Sequence, residues 1–325
     1  YVKNNIIIKK MKLKKKDTIL IVGSGVLGAY LAKELIGNKN KIIITTRNLK
    51  KNYKNYKKLS IQSKVNFIKL DILNKSQISK IITKFNPKYI YYFAGQSSLI
   101  KSNRDKKNTF QSNFVGAKNF LEVIHRNKLK IKFLKANSGY IFSNNLNKIN
   151  LKCKFVKTKN PYINSQIKAF KIVKYYREYY KINCYNLVLF NMESPLRNKN
   201  FIFLKACIAA KRKEKLKVGN LNVIRDFSWA PEIMKGLKYA SKIKPCDLIF
   251  GSGTGISIKQ LIKKIFSHEN LDFNKFIIIN KKFFRTEDKK IMIANINNTI
   301  IKLRKFNWKP KIYKDKLIQK MLHSL

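Results

Sequence analysis

At 325 residues, 45% of them hydrophobic, the chain holds enough apolar material for one sizeable core or two domains, which excludes a disordered polypeptide. Its 72 Lys and Arg against 16 Asp and Glu, net +56, match a nucleic acid or an anionic membrane on their face. The lysines are spread through every segment beside heavy use of Ile and Asn, all with A/T-rich codons, and no RNA- or DNA-binding motif accompanies them. Compositional drift is therefore the preferred reading: no specific nucleic-acid partner is expected, only a salt-sensitive, nonspecific affinity for polyanions.

Residues 1–16 read as a basic tail, expected to lack order, in which Met11 is an alternative start. The lysines ahead of the apolar run Ile19, Leu20, Ile21, Val22 imitate a signal peptide, but the glycines and the helical register after that run fit a cofactor turn better. The run enters Gly23, Gly25 and Gly28 in a GxGxxG pattern, and Leu27, Leu31 and Leu35 then recur at helical spacing. Gly23 permits the turn, Gly25 lets the backbone approach a pyrophosphate, and Gly28 lets helix and strand pack closely. Free N–H groups at the helix start would receive the anion. An ordinary glycine-rich βα turn is the plainer alternative.

A second strand at 42–44 ends in Thr45, Thr46 and Arg47, where such folds read the adenosine ribose; Arg47 in place of an acid favours the 2′-phosphate of NADP. Residues 48–64 read as a loop. A strand at 67–70 closes on Asp71, a candidate for the adenine edge, and 76–85 is helical. The strand at 89–93 runs into Ala94, Gly95 and Gln96, where ligands collect in open α/β sheets. Phe110, Phe114, Ala117, Leu121 and Ile124 mark one face of a long helix, and 131–136 is a fifth strand. That strand leads to Ser138 and Tyr140. Asn160, Pro161 and Tyr162 open another helix, and a sixth strand at 185–190 leads to Asn191 and Glu193. Such alternation predicts an α/β, Rossmann-type doubly wound parallel sheet with a smaller C-terminal α/β substrate-binding domain. Beyond it come helices near 202–211 and 231–242, a strand at 248–251, an N-cap at Ser257 and a last amphipathic helix.

Cys153, Cys184, Cys207 and Cys246 lack CxxC spacing, and the three histidines do not cluster near them, so neither a disulfide framework nor a metal site is indicated. No run long enough to span a membrane appears, and a cytoplasmic protein is expected.

Three stretches are the most specific: Leu189 to Pro195 (LFNMESP), Gly219-Asn-Leu through Arg225-Asp226, and Asn307-Trp-Lys-Pro310. With the glycine turn they resemble the extended short-chain dehydrogenase/reductase (epimerase/dehydratase) family, and within it the GDP-mannose 4,6-dehydratases, over nearly the whole chain. The resemblance implies a lyase in which NADP⁺ oxidises C4 of a GDP-bound sugar, a carboxylate removes the C5 proton, water leaves C6 and hydride returns there. It also implies a homo-oligomer. The domains are then a basic tail at 1–16, an NADP-binding domain at 17–192 and a substrate-binding region at 193–325, with parts of 218–252 returning to the first.

By resemblance Ser138 holds the sugar hydroxyl and Tyr162 transfers its proton. A phenol with a free pKa near 10 needs nearby positive charge for that task. The family's lysine, one helical turn on, is Gln166 here. Losing a cation that lowers a pKa by roughly two units cuts the phenolate about a hundredfold. Lys168 points roughly 240° around the helix from Tyr162 and is a poor substitute. The C5 carboxylate aligns with Tyr140, a weak base. Resemblance assigns sugar and diphosphate contacts to Asn191 and Lys205 and a nucleotide phosphate contact to Arg225. Arg285, with Glu287 or Asp288, falls near the ribose or base, and Gln96 and Glu193 complete the candidate substrate set. A catalytically impaired relative that binds both ligands, and a 4-keto sugar reductase, are the alternatives.

Overall fold

The computed structural model describes residues 17–37, 40–49, 53–143, 147–284 and 288–325. Runs of Ile, Leu, Val and Tyr form most of the strands, which are buried on both faces as crossover helices on either side of a parallel sheet require, while the edge strand Asn66–Lys69 stays partly exposed. These strands are β1 Thr18–Val22, β2 Lys41–Thr46, β3 Asn66–Lys69, β4 Tyr89–Tyr92, β5 Lys132–Ser138, β6 Cys184–Leu189 and β7 Asp247–Phe250. They lie in the order β7-β6-β5-β4-β1-β2-β3, every neighbouring pair parallel. The order reverses between β1 and β4, and ligands of open α/β sheets bind beyond the strand ends at such a point.

Helices Val26–Ile36 and Ala230–Ala240 cover one face of the sheet, with Trp308 packed into the same core. Helices Lys75–Phe85, Gly116–Arg126 and Pro161–Glu178 cover the other. A second core joins helices Ile202–Lys211, Ile258–His268 and Lys314–His323 to Phe227 and Trp229. Ser257 caps the middle one by accepting from Gln260 N at 3.1 Å. The buried Asp226 carboxylate ties the surrounding loops together, accepting from Ser252 N (2.7 Å), Ser252 Oγ (2.6 Å), Gly253 N (3.0 Å) and Ala294 N (3.1 Å). Burial raises the carboxyl above its usual range and four donors draw it partly back, which accounts for an acid within the motif that ends at Arg225-Asp226.

One expectation needs correction and another gains a detail. The polar stretch expected to be a loop contains a helix, Tyr53–Lys58, and a 3₁₀ turn, Gln62–Lys64. No apolar period announces that helix, because one side chain anchors it: Tyr56 is fully buried against Phe67, ring centroids 4.8 Å apart. The expected long helix through Phe110 and Ile124 runs unbroken from Lys106 to Arg126, with a π turn at Gln111–Val115 between Lys106–Phe110 and Gly116–Arg126. The Tyr92 hydroxyl donates to Ser112 O at 2.7 Å, and a Cβ on Gly116 would come within 2.3 Å of that same hydroxyl. The phenol wedges the turn open, and π turns of this kind concentrate at functional sites.

Candidate active site

The glycine turn sits at the carboxyl end of β1. Gly23 has φ +109° and packs on the end of β4, where a Cβ would lie 2.8 Å from Ala94 N. At Gly28 a Cβ would meet Gly23 O at 2.3 Å, so the helix packs onto the turn only as glycine. Gly25 differs: nothing lies within 4 Å of its Cβ position. That opening faces the start of an 11-residue helix with no side-chain cap and no acid in its first turn, a combination that suits a pyrophosphate. Around the same edge Arg47 is exposed beyond β2, and Asp71 beyond β3 accepts from Leu73 N at 2.9 Å. Gly95 lies against Asn113, whose Nδ2 donates to Gln96 O at 3.2 Å. The Gln96 side chain folds back onto its own loop, donating from Nε2 to Ser98 O at 2.8 Å.

Ser138 ends β5, and Tyr162 stands in the first turn of Pro161–Glu178. The Asn160 carboxamide oxygen caps that helix, accepting from Tyr162 N (3.1 Å) and Ile163 N (3.2 Å), with Pro161 following the cap. This fixed start sets the Tyr162 phenol beside Ser138. Burial pushes the phenol up to about 12, the Ser138 hydroxyl draws it down, and the nearby Tyr140 phenol raises it. Ser138 Oγ accepts from Tyr140 N at 3.2 Å, so the expected trio of Ser138, Tyr162 and Tyr140 is one cluster. Gln166, one turn along, is buried at 6% exposure, and its Oε1 has no hydrogen-bond partner. Lys168 lies over the Phe110 ring, 5.0 Å from its centroid.

On the substrate side several expected contacts are occupied by the protein itself. Asn191 Nδ2 donates to Asp226 O at 3.0 Å. Glu193 is 1% exposed and paired with Arg197; burial lifts its carboxyl to about 7 against the pull of that guanidinium. Lys205 donates to Lys217 O at 2.8 Å and lies over the Phe283 ring at 5.1 Å. Arg225, buried, pairs with Asp288 and donates to Ile224 O and Lys289 O, both at 2.8 Å. Asp288 is thus the partner of Arg225; Arg285 and Glu287 lie outside the described residues. Two residues of the site were not read from the sequence. Lys289 bonds the carbonyls of Tyr140 (3.1 Å) and Phe142, holding the turn that carries Tyr140, and in so basic a chain nothing marks it. Lys135 is buried in the middle of β5, and its only signal is a charge flanked by the apolar Leu134 and Ala136. Among the described residues no group of three or more His, Cys, Asp or Glu could hold a metal, and no helix is long and apolar enough to cross a membrane.

A seven-stranded Rossmann-type sheet, a glycine turn at its switch point and a Ser/Tyr cluster beyond β5 define the class of nucleotide-sugar epimerase and dehydratase folds. The model of one family, described as GDP-mannose 4,6 dehydratase, matches residues 20–321, and the chain belongs to that family. It is 25% identical to GDP-mannose 4,6 dehydratase 2 of Caenorhabditis elegans, over 78% of this chain and 72% of that protein. The human GDP-mannose 4,6 dehydratase is 24% identical, over 96% and 92%. Two solved structures share the fold. A dTDP-glucose 4,6-dehydratase of Bacillus anthracis in complex with NAD superposes with TM-score 0.83 at 16% identity, covering 95% of this chain and 96% of that one. UDP-glucose 4-epimerase of Thermotoga maritima with UDP-glucose gives 0.82 at 18%, covering 94% and 98%.

Proposed function

We propose that the protein is an NADP-dependent, cytoplasmic and homo-oligomeric enzyme acting on GDP-mannose to give GDP-4-keto-6-deoxymannose. The observation that carries this reading is the Tyr162 phenol beside Ser138 at the end of β5, on a helix whose start is fixed by Asn160. Gly23, Gly25 and Gly28 would hold the pyrophosphate, Arg47 the 2′-phosphate, Asp71 the adenine edge, and Ala94 and Gly95 the strand-end wall. The open space at Gly25 is what that cofactor needs. Bound NADP⁺ supplies a hydride acceptor for the sugar C4. Ser138 orients the C4 hydroxyl, and Tyr162 takes its proton. Asn191, Gln96, Lys205 and Arg285 are the substrate contacts in this reading, and Glu193 and Arg225 support them from within the protein.

Incubating purified protein with GDP-mannose and NADP⁺ is expected to yield the 4-keto product. Absence of product beside an active control counts against turnover, and absence of thermal stabilisation by either ligand against the reading as a whole. Arg47→Ala is expected to weaken NADP⁺ binding about tenfold or more and leave NAD⁺ binding within about twofold, by titration calorimetry. Equal loss for both cofactors would move the 2′-phosphate away from Arg47. A second reading is favoured by a specific observation: with Gln166 and Tyr140 in place, burial keeps the Tyr162 phenol high. It is a relative that binds both ligands and turns over slowly or not at all.

A further inference from the structure

Lys135 is 1% exposed at the centre of the sheet, and among the described residues no carboxylate pairs with it. Its ammonium donates to Ala136 O, one residue nearer Ser138, and lies over the Tyr92 ring at 5.4 Å from the centroid. An isolated buried ammonium is costly, and a chain that keeps one in the middle of the strand that ends at Ser138 invites a functional account.

Strand and helix register place it. Cys184 Sγ donates to Val173 O at 3.1 Å, and Asn186 Nδ2 donates to Phe170 O at 3.2 Å, so Pro161–Glu178 runs antiparallel above β6. Lys135 pairs with Asn186 and Ser138 with Leu189 across β5 and β6. The Phe170 level of the helix therefore lies over Lys135 and the Tyr162 level over Ser138, about 10 Å further along the strand. Gln166 falls halfway, on the side toward which the ammonium leans. The carboxamide oxygens of Asn137, two residues along β5, and of Gln166, in the helix above, lack any hydrogen-bond partner, and an ammonium with protons left to donate is their chemical complement. The one titratable group in direct contact with Lys135 among the described residues is a phenol, Tyr92 from β4; Tyr162 and Tyr176 lie further along the helix above, on either side of its level. Glu122, on the neighbouring helix, is held by Lys75 and Lys118.

We propose that Lys135 supplies from the strand the positive charge that Gln166 does not supply from the helix, and is the positioning residue that acts through the Gln166 amide on the Tyr162 phenol. The inference rests on the proposed NADP-linked oxidation at C4. There the sugar C4–H bond breaks and its electron pair leaves as hydride to bound NADP⁺, while the hydroxyl proton passes to the Tyr162 oxygen. A nearby ammonium raises the phenolate fraction that receives that proton.

The test uses Lys135→Met, Gln166→Lys and the double variant. In urea unfolding, proximity predicts that Gln166→Lys destabilises at least about tenfold more, as an unfolding constant, with Lys135 present than with Met there, because two ammoniums meet. Additive effects overturn the proposal. In single-turnover reduction of bound NADP⁺ by GDP-mannose, Lys135→Met is expected to lower the rate about tenfold or more with KM nearly constant. The intact protein's rate is expected to rise with pH and level off once the ammonium deprotonates near neutral pH, whereas that of Lys135→Met keeps rising; Gln166→Lys is expected to restore the rate in the Lys135→Met background. A Lys135→Met variant with the rate and pH profile of the intact protein overturns the inference while leaving the proposed function standing. Absence of both ligand binding and turnover in every variant removes that function, and the role of Lys135 with it.

Discussion

Gln166→Lys combined with Tyr140→Glu is expected to raise conversion of GDP-mannose to its 4-keto-6-deoxy product by at least about a hundredfold. The two substitutions act on separate steps. A carboxylate at position 140 would stand in the Gly139–Ile141 turn, next to the Ser138 and Tyr162 cluster, at the position that the proposed function assigns to removal of the C5 proton. A positioned general base contributes about 10²–10⁴-fold, so this change carries the larger share. A lysine at 166 lies about 40° around the helix from Tyr162 and would lower a phenol that burial holds near 12. Its contribution is at most about a hundredfold, and least while Lys135 keeps its own charge nearby. Product formation followed by mass, as loss of one water from the nucleotide sugar, checks the sum, and each single variant apportions it. If the double variant binds both ligands yet makes no more product than the unchanged chain, residues 140 and 166 are not what limits the reaction.

Much of this site was legible because its signals are local. The glycine spacing, the apolar runs of β1 to β6 and the Asn160-Pro161-Tyr162 helix start are each written in consecutive residues, and the structure assembles them at one sheet edge. What escaped depends on pairing across the chain. Whether Arg225 meets a phosphate or Asp288 is decided 63 residues away, and the clamp of Lys289 on the Tyr140 turn spans 149. The helix at Tyr53–Lys58 was missed for a related reason: one buried phenol under Gly28 outweighs six residues of polar pattern. Lys135 carries no local mark of its burial, because β5 already holds Lys132, Asn137 and Ser138 among its apolar residues, and only the sheet buries one charge and not the other.

Lys135→Met is also expected to stabilise the fold, by several kcal/mol and at most ~5 kcal/mol, even as it lowers activity. Burial alone pushes the Lys135 ammonium down from 10.5 to about 7. Its folded pKa lies below the unfolded one, so between about pH 7 and 10.5 the unfolded chain binds a proton that the folded chain does not. The penalty is complete below about pH 7 and is relieved as pH rises, with a slope of up to ~1.4 kcal/mol per unit. Other groups leave a window clear. The Glu193 carboxyl, raised to about 7 by burial, acts below it, and the Cys184 and Cys207 thiols, also raised by burial, act above about pH 8.5 as their unfolded forms ionise. Urea unfolding at pH 7.0, 7.75 and 8.5 is therefore expected to show the intact protein gaining on Lys135→Met across that range. A variant less stable than the parent, or a difference independent of pH, would show that the ammonium is compensated where it lies. A more stable but slower variant would show a charge kept at the expense of the fold, as stability and activity trade against each other at functional sites.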